Sequence, residues 1–266
     1  MVREWVRQKE MRGGRFFTFE DVHRELPTVS IQVLKNALMR LKKSRRITSP
    51  YRGFYVIMPP EYVLRGGVPA FYYMDDLMQR YGKKYYFSLL SAAALWGAAH
   101  QAPQVDFVTL DGPRLFAGAR ERRDVRWISR PVIPREFVLT KRGEAGDVCY
   151  SNAELTAVEL VQYEQYAGGL SVVATVLGEL LESTDFAHAS EGVFTVCKES
   201  AIQRMGYLVE RVLHDELQGE VVYHEWVRLC KSPHYVPLSL RSTREPFGRD
   251  ERWKIIVNAE PEPDET

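Results

Sequence analysis

The chain has 266 residues, enough for one large domain or two smaller ones. Its composition, 45% hydrophobic and 27% charged, is typical of a globular protein and excludes collagen-like, mucin-like and disordered classes. The longest nearly apolar run, residues 89–99, is about half as long as a membrane-spanning helix, and the N-terminus has no apolar leader segment. These features predict a cytoplasmic protein with no membrane partner.

Charge is distributed unevenly along the chain. Residues 1–60 contain 13 Lys and Arg against 5 Asp and Glu, a net charge of +8, whereas the remainder carries −7. Such asymmetry points to contact with nucleic acid, although a basic solvated surface gives the same count.

Three short helices are predicted in this basic segment. The first runs from the N-terminus to the Gly13-Gly14 pair. The second follows Thr18, which lies three residues before Asp21 as in a capping box, and it stops at Pro27. The third begins after Ser30, which is its predicted N-cap.

The third helix is amphipathic. Its apolar positions recur at spacings of three and four residues and are predicted to pack inward; they are Ile31, Leu34, Leu38 and Leu41. Its opposite face carries polar and basic side chains, namely Gln32, Asn36, Arg40 and Lys43. Lys35 and Lys42 lie nearer the edges of the apolar stripe.

A β-hairpin is predicted after this helix. Residues 47–49 and 54–57 are β-branched and aromatic, and residues 50–53 have turn chemistry. Three helices and a basic hairpin match a winged helix-turn-helix, whose third helix enters the major groove and whose wing reaches the backbone or minor groove. A winged helix that only binds proteins remains an alternative, but it does not explain the basic cluster.

The predicted partner is double-stranded DNA, and the chemistry of the side chains divides their roles. Gln32, Asn36 and Arg40 make paired hydrogen bonds to base edges and are the predicted sequence readers. The remaining candidates neutralise phosphates and set the register on the duplex; they are Lys35, Lys42, Lys43, Arg45, Arg46 and Arg52.

The rest of the chain predicts a larger, mixed α/β C-terminal domain, so the whole chain is assigned to the α+β class. The predicted domains are residues 1–60 and 70–260, with a connector between them. Helices are predicted over residues 74–80, 85–99, 154–166, 171–182, 199–214 and 220–229. Strands are predicted over 105–110, 125–128, 136–140 and 253–258. The acidic, proline-containing end, residues 260–266, is expected to be frayed.

Five segments carry a family resemblance. They are GFYVIMP (53–59), YYFSLLSAA (85–93), GAAHQAPQ (97–104), VPL (236–238) and WKIIVN (253–258). Together and in this order, the segments resemble the AbiEi family of antitoxins from type IV toxin-antitoxin systems, which are associated with phage abortive infection. The resemblance covers most of the chain.

This resemblance implies a bifunctional protein. The winged helix would bind inverted repeats in its own promoter and repress the operon. The larger domain would counter a nucleotidyltransferase-like toxin, without a stable complex with it. The family's DNA-contacting side chains match the recognition-helix and wing residues named above. An alternative is a winged-helix regulator whose second domain binds a ligand or protein and has no antitoxic activity.

No enzyme, metal site or cofactor is predicted. The polar pair His100-Gln101 has no nucleophile motif nearby, and adjacent Asp75 and Asp76 diverge on a helix. Cys230 and His234 lack the second pair of ligands that zinc requires, and the chain has no phosphate-binding or dinucleotide fingerprint. A DNA-processing enzyme targeted by the winged helix remains a third hypothesis.

Overall fold

The computed structural model describes residues 1–64, 67–99, 103–113, 124–143, 145–187 and 192–264. The chain divides into two compact units. The first is Met1–Lys84 with Lys141–Val148, and the second is Tyr85–Thr140 with Cys149–Thr266. Helices combined with several mainly antiparallel or mixed sheets confirm the α+β class. The functional assignment of residues 1–60 and 70–260 stays a prediction.

The first unit combines short helices with a three-stranded antiparallel sheet of order β1-β3-β2. Its elements are α1 (Val2–Met11), β1 (Phe16–Thr18), α2 (Phe19–Glu25), α3 (Ile31–Lys43), β2 (Ile47–Tyr51), β3 (Phe54–Ile57), α4 (Pro60–Val63) and α5 (Met74–Tyr81). Strand β1 was not predicted from the sequence. It is only three residues long and exists because Phe16 and Thr18 pair with Val56 and Phe54 of β3.

The N-termini of α2 and α3 are capped by side chains close to them in sequence. The Oγ1 of Thr18 accepts a hydrogen bond from the Asp21 backbone N–H at 3.1 Å, and the Asp21 carboxylate accepts one from the Thr18 N–H at 2.9 Å. The Ser30 hydroxyl likewise accepts from the N–H of Val33. Both predicted caps are confirmed, because capping depends only on residues three positions apart.

One inward-facing position of α3 was predicted wrongly. Leu34, Leu38 and Leu41 are buried, but the side chain of Ile31 is 49% exposed. At 100° per residue, Ile31 stands about 60° from Leu34 around the helix, and it lies in the first turn. The buried stripe therefore begins one turn later than the apolar spacing indicated.

The turn between β2 and β3 is tighter than the predicted four-residue loop. Strand β2 continues through Tyr51, which pairs with Phe54, so that only Arg52 and Gly53 form the turn. Gly53 has φ +77°, a conformation that favours glycine. The register shifts between Thr48 and Tyr51. This irregularity accommodates Pro50, which has no N–H to donate within the strand.

From Tyr85 onward, strands and helices alternate before helices predominate. The elements are β4 (Tyr85–Phe87), α6 (Leu89–Trp96), β5 (Asp106–Asp111), β6 (Val125–Arg130), β7 (Val138–Gly143), β8 (Gly146–Ser151), α7 (Ala153–Gln162), α8 (Leu170–Leu181), α9 (Gly192–Thr195), α10 (Glu199–Tyr207), α11 (Glu216–Leu229), β9 (Val236–Pro237), β10 (Gly248–Asp250) and β11 (Ile255–Val257). They form a five-stranded sheet of order β6-β5-β4-β8-β7 and a three-stranded sheet of order β10-β11-β9.

The helix predicted over residues 85–99 was wrong in its first part. Tyr85–Phe87 is strand β4, which pairs antiparallel with β5 and parallel with β8. These pairings join segments distant in sequence and override the local apolar pattern. The helix itself is α6, and it ends at Gly97, whose φ of +83° is a common helix terminator.

Two further expectations required correction. The helix predicted over residues 199–214 is α10 followed by a π-helical turn, Leu208–Val212. The acidic end is also held in place where it is described. The backbone N–H of Glu262 donates to Ser171 Oγ, and that of Asp264 donates to Thr175 Oγ1 at 2.9 Å. These contacts anchor the segment to α8.

Within the described ranges, no helix is both long and apolar enough to cross a bilayer. The three cysteines, Cys149, Cys197 and Cys230, are all described and form no disulfide.

Candidate nucleic-acid interface

One side of α3 points away from its buried leucines and forms the outer face. We define this outer face as Gln32, Asn36, Met39, Arg40 and Lys43, all of which are exposed. Lys35 and Lys42 are exposed along its edge. The periodicity of the sequence therefore placed the predicted reading and phosphate-binding side chains of this helix on one surface.

The outer face is polar and basic, but it also carries a large apolar side chain. Met39 is 64% exposed between the polar positions. Two of the predicted readers also contact each other, since the side-chain amide of Gln32 donates to Asn36 Oδ1 at 3.1 Å. Residues four apart lie next to each other on a helix, so the spacing allowed this bond without requiring it.

The basic side chains of α3 and of the β2–β3 hairpin differ in whether they have partners among the described residues. Within the described ranges, no carboxylate pairs with Lys35, Arg40, Lys42, Lys43 or Arg52. Arg52 is exposed in the turn between β2 and β3. These cations are available to phosphate groups, and a duplex that binds them displaces counterions, so that the affinity would depend on salt.

Arg45 and Arg46 also have partners within the first unit. Arg46 Nη2 donates to Glu10 Oε2 at 2.9 Å, and Arg45 Nη1 donates to the Val63 carbonyl at 3.2 Å. Arg45 follows the end of α3 with φ +54°, in the left-handed region where glycine is usual. Each guanidinium has further N–H groups, so a phosphate contact remains compatible with these bonds. Their role as phosphate contacts stays a prediction.

Sequence reasoning missed an apolar groove beside the outer face. It lies between α1 and α3, encloses about 730 Å³, and is bordered by Arg3, Arg40 and Arg46. Val33 of its lining is 50% exposed. An apolar residue on the solvent side of α3 was the sequence signal that could have revealed it.

The second unit contains a buried titratable cluster that the sequence did not predict. Tyr86 Oη donates to Glu159 Oε1 at 2.6 Å, and Arg130 Nη1 donates to the same oxygen at 2.8 Å. Among the described residues, no group hydrogen-bonds to Glu159 Oε2. Burial raises the pKa of Glu159 to about 7 and that of Cys197 nearby to about 12. Groups with strongly shifted pKa values are common at functional sites, so this cluster is considered as a candidate site.

This cluster predicts a pH dependence of stability. The folded-state pKa of Glu159, about 7, exceeds its ordinary value of 4.5. Between these values the folded chain keeps a proton that the unfolded chain releases, so the free energy of unfolding falls as pH rises. The decline attributable to this group is up to about 3 kcal/mol. We expect Glu159→Gln to flatten it.

The measurement is urea unfolding of the full-length protein at a series of pH values between the two pKa values. Glu182→Gln, at an exposed carboxylate of the same unit, is the control and should keep the wild-type profile. A Glu159→Gln protein with an unchanged pH slope would contradict the assigned titration.

The residues weighed for catalysis or metal binding have other roles where they are described. Asp76 forms an ion pair with Arg15 at 3.6 Å. Cys230 Sγ donates to Glu199 Oε1 at 2.5 Å, whereas His234 is exposed. His100 and Gln101 lie outside the described residues. In the described part of the chain, no three His, Cys, Asp or Glu side chains are grouped to hold a metal ion.

The fold defines a two-unit α+β protein with a helix-and-hairpin N-terminal unit. Residues 86–211 match the family model of the AbiEi antitoxin C-terminal domain. The match covers 126 of the 266 residues, and it confirms the resemblance recognised in the sequence. No curated protein matches the chain.

The fold is also similar to that of a solved structure. This is the crystal structure of the RV2827C protein from Mycobacterium tuberculosis, with a TM-score of 0.70 and 15% sequence identity. The similarity covers 94% of this chain and 88% of that chain. At this identity the comparison establishes the fold alone.

Proposed function

We propose that this protein is a DNA-binding transcriptional autorepressor and the antitoxin of a type IV toxin-antitoxin system. The observation that carries the DNA-binding half is the exposed outer face of α3, with Arg40 and Lys43 unpaired among the described residues. The antitoxin half is supported by the family match over residues 86–211. The chain acts without catalytic residues or a cofactor.

The element order of the first unit supports a winged helix-turn-helix at residues 1–60. Helices α2 and α3 form the helix-turn-helix, and β2 and β3 form the wing. In this assignment α3 enters the major groove and Arg52 at the wing tip reaches the backbone or minor groove. Gln32, Asn36 and Arg40 read bases, while Lys35, Lys42, Lys43, Arg45 and Arg46 neutralise phosphates.

The operator in this proposal is an inverted repeat in the protein's own promoter. Two protomers then occupy two half-sites, since the symmetry of a repeat requires two copies of the reading helix. The second domain, residues 70–260, counters a nucleotidyltransferase-like toxin without a stable complex. Both partners place the protein in the cytoplasm.

Separation of the two activities tests this proposal. The full-length protein is co-expressed with the nucleotidyltransferase-like protein that the proposal places in the same operon, and colony survival is counted together with the output of a promoter reporter. We expect wild type to restore growth and repress the reporter. An Arg40→Ala, Lys43→Ala variant should restore growth equally while losing repression, because the changes lie outside residues 86–211.

Failure of the wild-type protein to restore growth would contradict the antitoxin assignment. Retained repression with no rescue would favour the alternative regulator, whose second domain binds a ligand or protein. If neither DNA binding nor repression is found, the groove between α1 and α3 favours the alternative of a winged helix that only binds proteins.

A further inference from the structure

The hydrogen bond between Gln32 and Asn36 couples the orientations of two amides on the outer face. The Gln32 amide donates to Asn36 Oδ1 at 3.1 Å, and both side chains are exposed. A side-chain amide can rotate by half a turn and exchange its oxygen and nitrogen. When Asn36 rotates alone, the bond is lost, because the Asn36 nitrogen cannot accept from Gln32; it is kept only when Gln32 rotates as well and accepts from Asn36 Nδ2. The two amides are therefore coupled, and in this structure the Asn36 oxygen lies on the Gln32 side.

An amide in the observed arrangement distinguishes adenine from guanine. In the major groove adenine presents the N7 acceptor and an N6 amino donor, whereas guanine presents two acceptors, N7 and O6. Asn36 can donate from Nδ2 to N7 while its oxygen accepts from N6. The same orientation would place Oδ1 against guanine O6, oxygen against oxygen. The bond from Gln32 thus favours the amide arrangement that pairs with adenine.

Met39 adds an apolar contact on the same face. It follows Asn36 by three residues, which is about 4.5 Å along the helix axis, between one and two base-pair steps of about 3.4 Å. Its side chain is 64% exposed. The apolar group that a base pair presents in the major groove is the C5 methyl of thymine. An exposed methionine beside an adenine-reading amide is therefore suited to a thymine at a neighbouring position.

We propose that α3 reads an adenine through Asn36, with Gln32 as the positioning residue, and the methyl group of a neighbouring thymine through Met39. This inference rests on the proposed DNA-binding function. It assigns A·T base pairs to each half-site and separates the roles of Gln32 and Asn36, which composition alone left equivalent. Arg40, further along the same face, remains suited to guanine.

Modified bases test these contacts atom by atom. The full-length protein is used to select binding sequences from a random duplex library, and the selected duplex is then scanned with single substitutions. Replacing adenine by 7-deazaadenine removes only the N7 acceptor, and replacing thymine by uracil removes only the C5 methyl. We expect one adenine per half-site at which 7-deazaadenine weakens wild-type binding about 10- to 100-fold.

Variants assign each sensitive base to a side chain. Asn36→Ala should bind the normal and 7-deaza duplexes equally. Gln32→Ala should keep sensitivity to the missing N7 but lose much of its preference for adenine over guanine at that position. Met39→Ala should become insensitive to uracil at the neighbouring position. Lys42→Ala is the matched control, and it should weaken binding to all duplexes by the same factor.

The outcomes separate this inference from the proposed function. Selective binding in which no adenine is sensitive to 7-deazaadenine, or in which Asn36→Ala keeps the sensitivity, would overturn the base assignment and leave DNA binding intact. A Gln32→Ala protein with wild-type discrimination against guanine would overturn the positioning role. Failure to enrich any sequence from the library would overturn both this inference and the proposed DNA binding.

Discussion

Replacing Arg40 and Lys43 by alanine should weaken binding to the DNA immediately upstream of the gene about 100-fold at moderate salt. Both side chains lie on the outer face of α3, and within the described residues neither is neutralised by a carboxylate. Their removal costs the folded unit little, because neither packs in its core. A loss of affinity would therefore report on the interface and not on folding.

The salt dependence should change with the affinity. A protein that neutralises several phosphates loses affinity linearly as the logarithm of salt concentration rises. The double variant should lower this slope by about one to two, according to how many of its lost contacts are to phosphates. Fluorescence anisotropy of a labelled duplex across a salt series measures both quantities.

The control variant removes the same number of positive charges from the second unit. Arg241 and Arg244 are exposed in the second unit, and Arg241→Ala with Arg244→Ala also takes away two positive charges. We expect this protein to bind the upstream DNA as wild type does. An equal loss in both double variants would show that net charge, and not the outer face of α3, determines binding.

Replacing Glu164 by alanine should lower the free energy of unfolding of the second unit by about 3–5 kcal/mol. The side chains of Glu164 and Arg204 are almost completely buried and form an ion pair at 2.8 Å. The other oxygen of Glu164 accepts from Ser239 Oγ at 2.8 Å and from the Leu240 N–H at 2.9 Å. The substitution leaves an uncompensated guanidinium and two donors without their acceptor, in a place where burial already lowers the pKa of Arg204.

A double-mutant cycle with Arg204→Met isolates the ion pair. The Glu164→Ala, Arg204→Met protein should be less destabilised than the sum of the two single variants, because it no longer buries a lone charge. An exposed pair provides the control. Asp147 lies 3.6 Å from Arg142 and both are largely solvated, so Asp147→Ala should change stability by less than about 0.5 kcal/mol. A similarly small effect of Glu164→Ala in urea unfolding would contradict the account.

Local patterns predicted helix α3 well. The Ser30 cap depends on residues three apart, and the apolar period placed Leu34 and Leu38 inward. The same period then assigned Asn36 and Arg40 to the opposite side. The periodicity could not show which polar side chains have hydrogen-bond or ion-pair partners. The partner of Arg46 is Glu10, 36 residues away, and no local pattern encodes that contact.

Non-local pairing explains the larger errors. An apolar run beginning at Tyr85 is equally compatible with a helix or a strand. Residues 85–87 form strand β4 because they pair with β5 and β8. The buried cluster of Tyr86, Arg130 and Glu159 combines a residue from each of three elements far apart in sequence. Its members carry no motif, so the cluster is visible only once the chain has folded.

The central claim, sequence-specific DNA binding by the outer face of α3, is tested most directly by one comparison. Full-length protein is titrated against the duplex immediately upstream of the gene and against a scrambled duplex of the same length and composition, across an about tenfold range of salt. The account predicts binding to the upstream duplex about a thousandfold tighter than to the scrambled one, with affinity for both falling steeply as salt rises. Equal affinity for the two duplexes, or an affinity that does not respond to salt, would contradict it.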